Sequence, residues 1–454
     1  MFSEIVNQKF DEVNNLYNTD FQILDSLKSF ILEANDEELF LINPYRLAKK
    51  LNINNKSLLK HLFYLTKVGL FDLNWDVHCT RCNWVTETSH SLKKVKTNSY
   101  CLNCDFYIDV SFDESVELTF TINENIKTID LPIKFDFPEQ IKSEINTTIE
   151  SGKTRTVISF LDPGVYTFMC PITLAKGTIN VNNEEPNEIQ TIEIIYSDGK
   201  FAPNNINVMQ GSITFLLKNE MDIEIGFILY PKELPKLDIS LLDDRVSGFE
   251  CINMPEFRAI FKHEVLPRRE SLQVKDVTFL FTDIAGSSRL YEKLGDIKAY
   301  NIVRDYFDIL NETIEKNEGV TVKTIGDVVI SSFTKASNGM KAALDAQKAF
   351  NEYNQRDDVQ YKIILKQSLH TGDSIVVNLN DRLDYFGSTV NMAARIKNLC
   401  MDNEILTTEK IINNLGVMDV LIDSGINKIK RFESSLEDNE EAVKIYKIDT
   451  NVAS

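Results

Sequence analysis

Asp283 lies where the sequence changes from a buried strand into a helix. The apolar run VTFLF, residues 277–281, is typical of a strand buried on both faces, and the stretch FTDIAGSS leads out of it. Gly286 permits a turn there, and Ser287 or Ser288 can cap the helix that follows. A carboxylate beside the N–H groups of a helix N-terminus suits a triphosphate with its metal ion. We therefore expect the backbone of Gly286 and Ser287 to bind phosphate.

Asp327 is a second carboxylate of this kind. Within VTVKTIGDVVISSF two strand patterns meet at Gly326 and Asp327, which is a signal for a tight hairpin. Two carboxylates presented from separate strand ends can share two divalent ions, and Mg²⁺ suits them because it prefers oxygen ligands and phosphates. Taken alone, each aspartate is better explained as an ordinary turn residue.

Four cysteines form a second candidate metal site. Cys79 and Cys82 make one CxxC knuckle, and Cys101 and Cys104 make another after eighteen intervening residues. Two such knuckles can complete a tetrahedron of thiolates around one structural Zn²⁺. A redox pair and an iron–sulfur cluster are the alternatives.

Residues 1–76 have the apolar spacing of amphipathic helices. Within them, residues 44–71 predict a helix, a turn at Asn52–Asn55, a second helix, and a strand after Gly69, which makes a winged-helix-like helix-turn-helix module. This segment carries six lysines and arginines and no acidic residue. It can contact nucleic acid, but a module that packs on a neighbouring domain is the favoured interpretation because the rest of the chain is acidic.

Residues 77–106 are expected to form a zinc ribbon, and residues 107–234 an antiparallel β-sandwich. In the sandwich region valine, isoleucine, threonine and phenylalanine alternate with polar residues over short runs separated by turns. The pattern weakly resembles a cupredoxin, yet no histidine occurs between His90 and His263, so copper is not expected. Residues 235–274 are predicted to be a linker.

The final domain, residues 275–450, resembles the catalytic domain of the class III nucleotide cyclases, which include adenylate and guanylate cyclases. The resemblance covers residues 275–449 and implies an α+β fold of the ferredoxin-like βαββαβ type. It places the family's two metal aspartates on Asp283 and Asp327 and a further ligand on the backbone carbonyl of Ile284. The modules ahead of this domain also resemble those found ahead of bacterial cyclase domains.

The same resemblance implies the substrate contacts. Lys323 in KTIGD and Asp384 in LDYFGSTVNMAARI match the pair that reads adenine in adenylate cyclases, where guanylate cyclases use glutamate with cysteine or serine. Asn391 matches the residue that orients the ribose. Arg395, four residues later on one helix face, matches the residue that stabilises charge on the phosphates. Lys430 in NKIKRFE lies where a lysine contacts the terminal phosphates.

These assignments imply an adenylate cyclase that converts ATP to 3′,5′-cyclic AMP and pyrophosphate with two Mg²⁺ or Mn²⁺ ions. In the family one subunit supplies the metal residues and the other supplies the purine-reading and phosphate-binding residues. The resemblance therefore implies a homodimer, and we expect the N-terminal half to regulate the geometry of that dimer. Guanylate cyclase activity and a nucleotide-sensing, DNA-binding regulator are the alternatives.

Two positions depart from the family pattern. Ser368 stands where the family has the first glycine of the segment SLHTGD, and Val328 stands where many members have glycine or alanine. His370, in the same segment as Ser368, is predicted to be structural and not catalytic.

The chain as a whole is acidic. It has 454 residues and a net charge of −19, which argues against nucleic acid and anionic membranes as partners. No apolar run reaches the roughly 20 residues needed to span a bilayer, and the start of the sequence does not have a secretory pattern. Seven cysteines, four of them in a metal pattern, favour a reducing compartment, so we expect a cytoplasmic protein.

Overall fold

A computed structural model describes most of the chain. The described residues are 2–80, 83, 85–101, 106–129, 144–170, 173, 175–186, 188–230, 245–359, 361–426, 428–435 and 442–450. They divide into two compact units. The first unit contains residues 1–90, 98–110 and 114–246, and the second contains residues 91–97, 111–113 and 247–454. Each unit is therefore assembled from several stretches of chain.

The first unit begins with four helices. They are α1 (Phe2–Leu16), α2 (Phe21–Glu33), α3 (Pro44–Leu51) and α4 (Asn55–Lys67). Asp20, Asn43 and Asn54 cap α2, α3 and α4 by accepting hydrogen bonds from the first backbone N–H groups. Asn52 ends α3 in the left-handed conformation, at a φ of 55°, and so makes the turn into α4. The helices lie where the apolar spacing predicts them, and the winged-helix-like character of α3 and α4 stays a prediction.

A three-stranded sheet and a short hairpin follow these helices. The strands are β1 (Phe71–His78), β2 (Val85–Ser89), β3 (Asn98–Cys101), β4 (Phe106–Asp109) and β5 (Val116–Ile122). The sheet has the order β2-β1-β5, and β3 pairs with β4. We expected the segment of β5 in the sandwich, but it pairs with β1. The paired residues run from Phe71 with Ile122 to Val77 with Val116. An alternating pattern identifies a strand and its buried face, but it does not identify the partner strand.

Two further sheets occupy residues 145–230. Their strands are β6 (Ile145–Ile149), β7 (Thr154–Leu161), β8 (Gly164–Met169), β9 (Lys176–Asn182), β10 (Gln190–Ser197), β11 (Lys200–Ala202), β12 (Asn205–Met209), β13 (Gly211–Asn219) and β14 (Ile225–Tyr230). The orders are β11-β10-β13-β7 and β12-β9-β8-β14-β6, and one core contains Phe215 from the first sheet with Phe168 and Phe227 from the second. The expected all-antiparallel arrangement is wrong, because β10 pairs with β13 and β12 pairs with β9 in parallel. Side-chain alternation is the same for both directions, so the sequence does not distinguish them.

The second unit includes two short helices from the predicted linker. They are α5 (Gly248–Ile252) and α6 (Pro255–Ile260). Asn253, between them, is buried; its Nδ2 donates to the Tyr385 hydroxyl at 3.0 Å, and its Oδ1 accepts from the Ser332 hydroxyl at 2.6 Å. This part of the predicted linker therefore packs within the second unit, whereas residues 231–244 lie outside the described residues.

One mixed sheet organises the second unit. Its strands are β15 (Ser271–Ile284), β16 (Gly319–Ile325), β17 (Val328–Phe333), β18 (Leu365–Leu379), β19 (Arg382–Phe386), β20 (Glu404–Thr408), β21 (Ile429–Ser434) and β22 (Val443–Ile448). The order is β16-β17-β15-β18-β20-β22-β21, and β19 pairs with β18. β15 is hydrogen-bonded along both edges, which confirms that VTFLF belongs to a central strand.

Six helices accompany this sheet. They are α7 (Ser287–Leu294), α8 (Asp296–Lys316), α9 (Ala336–Tyr353), α10 (Ser388–Leu399), α11 (Glu409–Ile412) and α12 (Val417–Asp423). From β15 to β18 the elements alternate as strand, helix, strand, strand, helix, strand, which is the α+β pattern that the resemblance implies. The single helix expected after Gly286 is instead two helices, because Gly295 separates them at a φ of 70°. Within the described part of the chain, no helix is both long enough and apolar enough to cross a membrane.

The strand β18 carries Ser368 and His370. The Ser368 hydroxyl donates to the carbonyl of Ala393 in α10 at 2.7 Å, so the serine ties the strand to that helix. His370 is 7% exposed, and its Nδ1 lies 2.8 Å from the Thr408 hydroxyl. Burial lowers the pKa of His370 to about 4, and the charge of Lys410 acts in the same direction. The imidazole is therefore neutral at neutral pH, which supports a structural role.

We expect His370 to make the stability of the chain depend on pH. Its pKa of about 4 lies below the ordinary 6.5, so between these values the unfolded chain binds a proton that the folded chain does not. Above pH 6.5 the imidazole is neutral in both states, so it does not lower the free energy of unfolding. As the pH falls toward 4, protonation of the unfolded chain lowers that free energy by about 3 kcal/mol. Chemical denaturation across this range should show a smaller loss for His370→Gln, and parallel curves would contradict the assignment.

Candidate active site

Asp283 and Asp327 lie at neighbouring strand ends. Thr282, the residue before Asp283 in β15, pairs with Val329 of β17. Asp327 precedes β17 in a two-residue loop whose first position, Gly326, has a φ of 64°. The predicted hairpin is confirmed, and the pairing of β15 with β17 brings the two aspartates together.

The Asp327 carboxyl is half-buried beside Asp283. Burial raises the pKa of Asp327, the Ser287 hydroxyl opposes this shift, and the Asp283 carboxyl raises the pKa further. The Oδ2 atom of Asp327 is buried and accepts no hydrogen bond. Two adjacent carboxyl groups with a spare oxygen suit a hard divalent cation, which would offset their repulsion and bind that oxygen. The residues present therefore fit Mg²⁺ or Mn²⁺.

The start of α7 lies beside this pair. Its N-cap residue is Gly286, at a φ of 69°, which has no side chain to cap the first turn. The predicted serine cap is therefore wrong. Ser287 is the first helical residue, and its hydroxyl interacts with Asp327 instead. A helix N-terminus of this kind can bind an anion through its first backbone N–H groups, and the side chain of Ser288 lies outside the described part of the structure.

Two side chains that the sequence did not single out contact this site. The Nζ atom of Lys397, in α10, lies 3.0 Å from Oδ2 of Asp283. Tyr306, in α8, is fully buried and donates its hydroxyl to the Thr282 carbonyl at 3.0 Å, which fixes the end of β15. Burial raises the pKa of Tyr306 well above its usual range, and Asp283 and Asp327 add to this shift. Neither contact has a local sequence signal, because both depend on how a helix packs against β15.

Lys323 and Asp384 form an ion pair. Lys323 lies in β16 and Asp384 in β19, and Nζ lies 2.6 Å from Oδ2. The other carboxylate oxygen, Oδ1, accepts the backbone N–H of Tyr385 at 2.8 Å. The two residues are 61 positions apart in sequence, so the fold joins the pair that the resemblance selected. A lysine and an aspartate side by side present a hydrogen-bond donor and an acceptor to one ligand edge.

The strand β19 is supported by the helices α5 and α6. Arg258 donates from Nη1 to the Leu383 carbonyl at 3.3 Å, and its guanidinium lies 6.0 Å from the centre of the Tyr385 ring. Asn253 donates to the hydroxyl of the same tyrosine. The residues on both sides of Asp384 are therefore fixed, which limits the positions open to its carboxylate.

The helix α10 carries the two remaining predicted residues of the central site. Asn391 is exposed and Arg395 is half-buried, one turn further along the same face. Lys397 lies about 200° around the helix from Arg395, since each residue advances by about 100°. The helix therefore has two separate faces, one bearing Asn391 and Arg395 and the other contacting Asp283 of the same chain.

Comparison with known proteins identifies the family of the domain that contains this sheet. The family described as the adenylate and guanylate cyclase catalytic domain matches residues 270–449. Residues 270–449 are a class III nucleotide cyclase catalytic domain. A second match, to a family of unknown function (DUF5939), covers residues 6–132 and assigns no activity.

The relatives of the cyclase domain include enzymes named for both nucleotides. An adenylate cyclase of Anabaena cylindrica is 27% identical over 233 residues, which cover 47% of this chain and 45% of the relative. Receptor-type guanylate cyclase gcy-13 of Caenorhabditis elegans is 28% identical over 134 residues, which cover 27% of this chain and 13% of the relative. Adenylate cyclase 1 of Rhizobium meliloti is 26% identical over 141 residues, which cover 28% and 21%. The chain spans less than half the length of these relatives.

Lys430 does not join the other predicted residues of the cyclase domain. It is exposed on β21, at the opposite edge of the sheet from β16. Four strand spacings separate β21 from β15, which is about 19 Å. Lys430 therefore does not reach Asp283 of its own chain. The side chain of Ile284 is buried, and the role of its carbonyl stays a prediction.

The structure describes two of the four predicted zinc ligands. Cys79, directly after β1, and Cys101, at the end of β3, are both buried. Cys82 and Cys104 lie outside the described residues. No group of three histidine, cysteine, aspartate or glutamate side chains able to hold a metal occurs among the residues that are described. The zinc ribbon stays a prediction.

We expect Asp327→Asn to stabilise the metal-free chain, because it removes one of two adjacent negative charges from a half-buried place. Thermal denaturation in a chelator should therefore give a higher Tm for the variant. Added Mn²⁺ should raise the Tm of the wild-type chain more than that of the variant.

Asp345→Asn is the matched control for this change. Asp345 also lies in the cyclase domain, but Lys341 and Asn317 donate to its carboxylate at 2.6 and 3.1 Å. We expect this control to lower the Tm. A comparable fall for Asp327→Asn would mean that repulsion between the two aspartates does not govern the site.

Proposed function

We propose that this chain is an adenylate cyclase that converts ATP to 3′,5′-cyclic AMP and pyrophosphate. The observation that carries the proposal is the Lys323–Asp384 ion pair, 2.6 Å long, in a cyclase domain whose Asp283 and Asp327 carboxyl groups are adjacent. The first pair bears on the choice of base, and the second bears on the metal-assisted chemistry.

The ion pair complements adenine and opposes guanine. The Watson–Crick edge of adenine offers an acceptor at N1 and a donor at its amino group, whereas guanine offers a donor at N1 and an acceptor at O6. Lys323 has only donors, and the ionised Asp384 has only acceptors. With the lysine at N1 and the aspartate at the amino group, both contacts are satisfied for adenine. In the same arrangement guanine would place its N1 donor against the lysine and its O6 acceptor against the aspartate. The pair therefore favours ATP as substrate.

Asp283 and Asp327 would hold the divalent ions, with the Ile284 carbonyl as a further ligand. When bound, these ions lower the pKa of the ribose 3′-hydroxyl and neutralise the triphosphate. The N–H groups at Gly286 and Ser287 bind phosphate oxygens at the start of α7. The 3′-hydroxyl gives up its proton to water, and its oxygen forms a bond to the α-phosphorus as the bond to the leaving pyrophosphate breaks.

Two side chains of α10 act on the reacting nucleotide in this proposal. Asn391 orients the ribose so that its 3′-oxygen lies in line with the bond that breaks. Arg395 donates to the phosphoryl oxygens, where negative charge increases in the transition state. Both are members of one helix face, so a single rigid element positions them.

The two faces of α10 support a homodimer. The face with Lys397 contacts Asp283 of its own chain, so the face with Asn391 and Arg395 is turned away from those carboxylates. A second copy could bring that face to the metal carboxylates, so the proposal assigns Asn391 and Arg395 to the partner's site. Lys430, on a strand about 19 Å across the sheet from β15, would likewise serve the partner's site.

Exposed apolar side chains beside the site are consistent with this assembly. Ile325, at the end of β16 before the Asp327 loop, is 60% exposed, and Phe386, two residues after Asp384, is 67% exposed. Large apolar side chains that border a functional site are typical of a surface that a partner covers. Their position next to both halves of the site favours a second cyclase domain as that partner.

The N-terminal half is proposed to regulate the cyclase domain. One structural Zn²⁺ bound by Cys79, Cys82, Cys101 and Cys104 would stabilise it, and burial of two of these thiols agrees with a closed site. We retain the cytoplasm as the proposed location, because a site of four thiolates requires reduced cysteines.

We expect the purified chain with Mn²⁺ or Mg²⁺ to form cyclic AMP from ATP and to use GTP poorly. Asp283→Ala should lower turnover by at least about a thousandfold, or roughly 4 kcal/mol of transition-state stabilisation. Asp423→Ala, an exposed aspartate of α12, is the control and should keep full activity. Chromatographic quantification of both cyclic nucleotides measures this. A preference for GTP would contradict the assignment of Lys323 and Asp384.

We expect inactive variants to complement each other when they are mixed. Asp283→Ala removes one half of each composite site, and Arg395→Ala removes the other half. A heterodimer of the two retains one intact site, so an equal mixture should recover about a quarter of wild-type turnover. No recovery after subunit exchange, which labelled chains would verify, would contradict a site shared between subunits.

A further inference from the structure

Lys397 contacts the proposed metal site but has no role in the proposed function. Its Nζ atom lies 3.0 Å from Oδ2 of Asp283, and the two side chains are 19% and 17% exposed. The oxygen that the ammonium group occupies belongs to a carboxylate assigned to a divalent ion. The lysine therefore lies where it can directly affect the binding of a divalent ion to Asp283.

The contact between Lys397 and Asp283 lies within one chain and between two rigid elements. α10 packs on β18, to which the Ser368 hydroxyl ties it, and Asp283 ends the neighbouring strand β15. The lysine is on the opposite face of α10 from Arg395. Its partner is consequently the carboxylate of its own chain, whatever assembles on the other face.

The charges at this place favour competition between the lysine and a divalent ion. Asp283 and Asp327 together supply up to two negative charges, and Lys397 offsets one of them. Charges that are mostly removed from solvent interact more strongly than exposed ones, because water screens them less. A divalent ion that binds Asp283 must displace the ammonium group or remain close to a like charge. Either process weakens metal binding to the chain without nucleotide.

The triphosphate of a nucleotide changes this balance. A lysine side chain is a flexible stem with a compact charge and three donors, so it can leave Asp283 and bind another nearby anion. A metal–nucleotide complex brings negative phosphate oxygens to the same place as the metal. The ammonium group then exchanges one anionic partner for another and is not left unpaired in a poorly solvated site.

We propose that Lys397 is a tethered counter-ion that keeps Asp283 neutralised until nucleotide arrives and then turns to the triphosphate. The inference rests on the proposed function, since it assumes that Asp283 and Asp327 hold the divalent ions. Its consequence is a coupling between two ligands: the divalent ion binds weakly alone and tightly together with nucleotide. Such coupling is reciprocal, so the nucleotide also binds more tightly when the metal is present.

Metal binding to the full chain, measured without nucleotide, tests this role. Electron paramagnetic resonance of free Mn²⁺ gives the dissociation constant for the wild-type chain and for Lys397→Gln. We expect the variant to bind Mn²⁺ at least about fivefold more tightly, because the competing charge is gone. Lys397→Arg keeps the positive charge and should bind Mn²⁺ as weakly as the wild-type chain.

The same titration with a non-hydrolysable ATP analogue tests the second half of the proposal. With the analogue saturating, the advantage of Lys397→Gln should disappear or reverse, because the variant no longer supplies a cation to the triphosphate. An unchanged advantage would show that the lysine does not turn to the nucleotide, and it would overturn that half.

Lys341→Gln is the matched control. Lys341 makes a 2.6 Å ion pair with Asp345 on α9. Asn317, just before β16, also donates to that aspartate, whereas Asp327 follows the other end of β16. Its removal changes the net charge of the chain by the same amount, and we expect no change in Mn²⁺ affinity. Equal tightening in Lys341→Gln and Lys397→Gln would mean that overall charge governs affinity, and it would overturn the role of Lys397.

Asp283→Asn separates failure of this inference from failure of the proposed function. If this variant loses Mn²⁺ binding while Lys397→Gln binds like the wild-type chain, only the inference about Lys397 fails. If Asp283→Asn binds Mn²⁺ as the wild-type chain does, the metal site itself is misassigned and the proposed function fails with it. Should Lys397→Gln fail to fold, Lys397→Met, which keeps the apolar stem, takes its place in the same measurement.

Discussion

The carboxyl groups of Asp283 and Asp327 lie side by side, so the surrounding part of the cyclase domain must hold them in place and offset their charge. Asp283 ends a strand that is hydrogen-bonded along both edges, and Asp327 occupies a two-residue loop, so the backbone fixes both groups. Tyr306 secures the carbonyl just before Asp283, and Lys397 offsets one charge. The folded chain thus maintains a repulsion that a bound divalent ion would relieve, as is common where stability is exchanged for function.

The helix α10 relates this charge pair to the rest of the site. A single helix carries Lys397 toward Asp283 of its own chain and carries Asn391 and Arg395 away from it. Because the helix is rigid, any shift that brings Arg395 closer to a nucleotide also moves Lys397 relative to Asp283. In the proposed homodimer, assembly of the composite site and the state of the proposed metal carboxylates would therefore be mechanically connected through this helix.

The sequence allowed the local features of the site to be predicted. Asp283 follows a continuous apolar run and Asp327 follows a glycine between two strand patterns, and both signals depend only on neighbouring residues. The contacts of Lys397 and Tyr306 were not predictable, since they depend on how helices pack on β15. The same limit applies to strand partners. Alternation marked the segment of β5 as a strand, but its pairing with β1 and the parallel pairing of β10 with β13 are long-range choices.

The two side chains of the Lys323–Asp384 ion pair differ in solvent exposure. The Asp384 side chain is 9% exposed and that of Lys323 is 34% exposed. Loss of the lysine alone would leave a buried carboxylate without its partner, at a cost of about 3–5 kcal/mol, whereas loss of the aspartate leaves an ammonium group that still reaches water. Under the proposed assignment of this pair to base recognition, a lineage that exchanges one base for the other would tolerate the change at position 384 first. Solvent access would thus give a direction to the evolution of the proposed base choice.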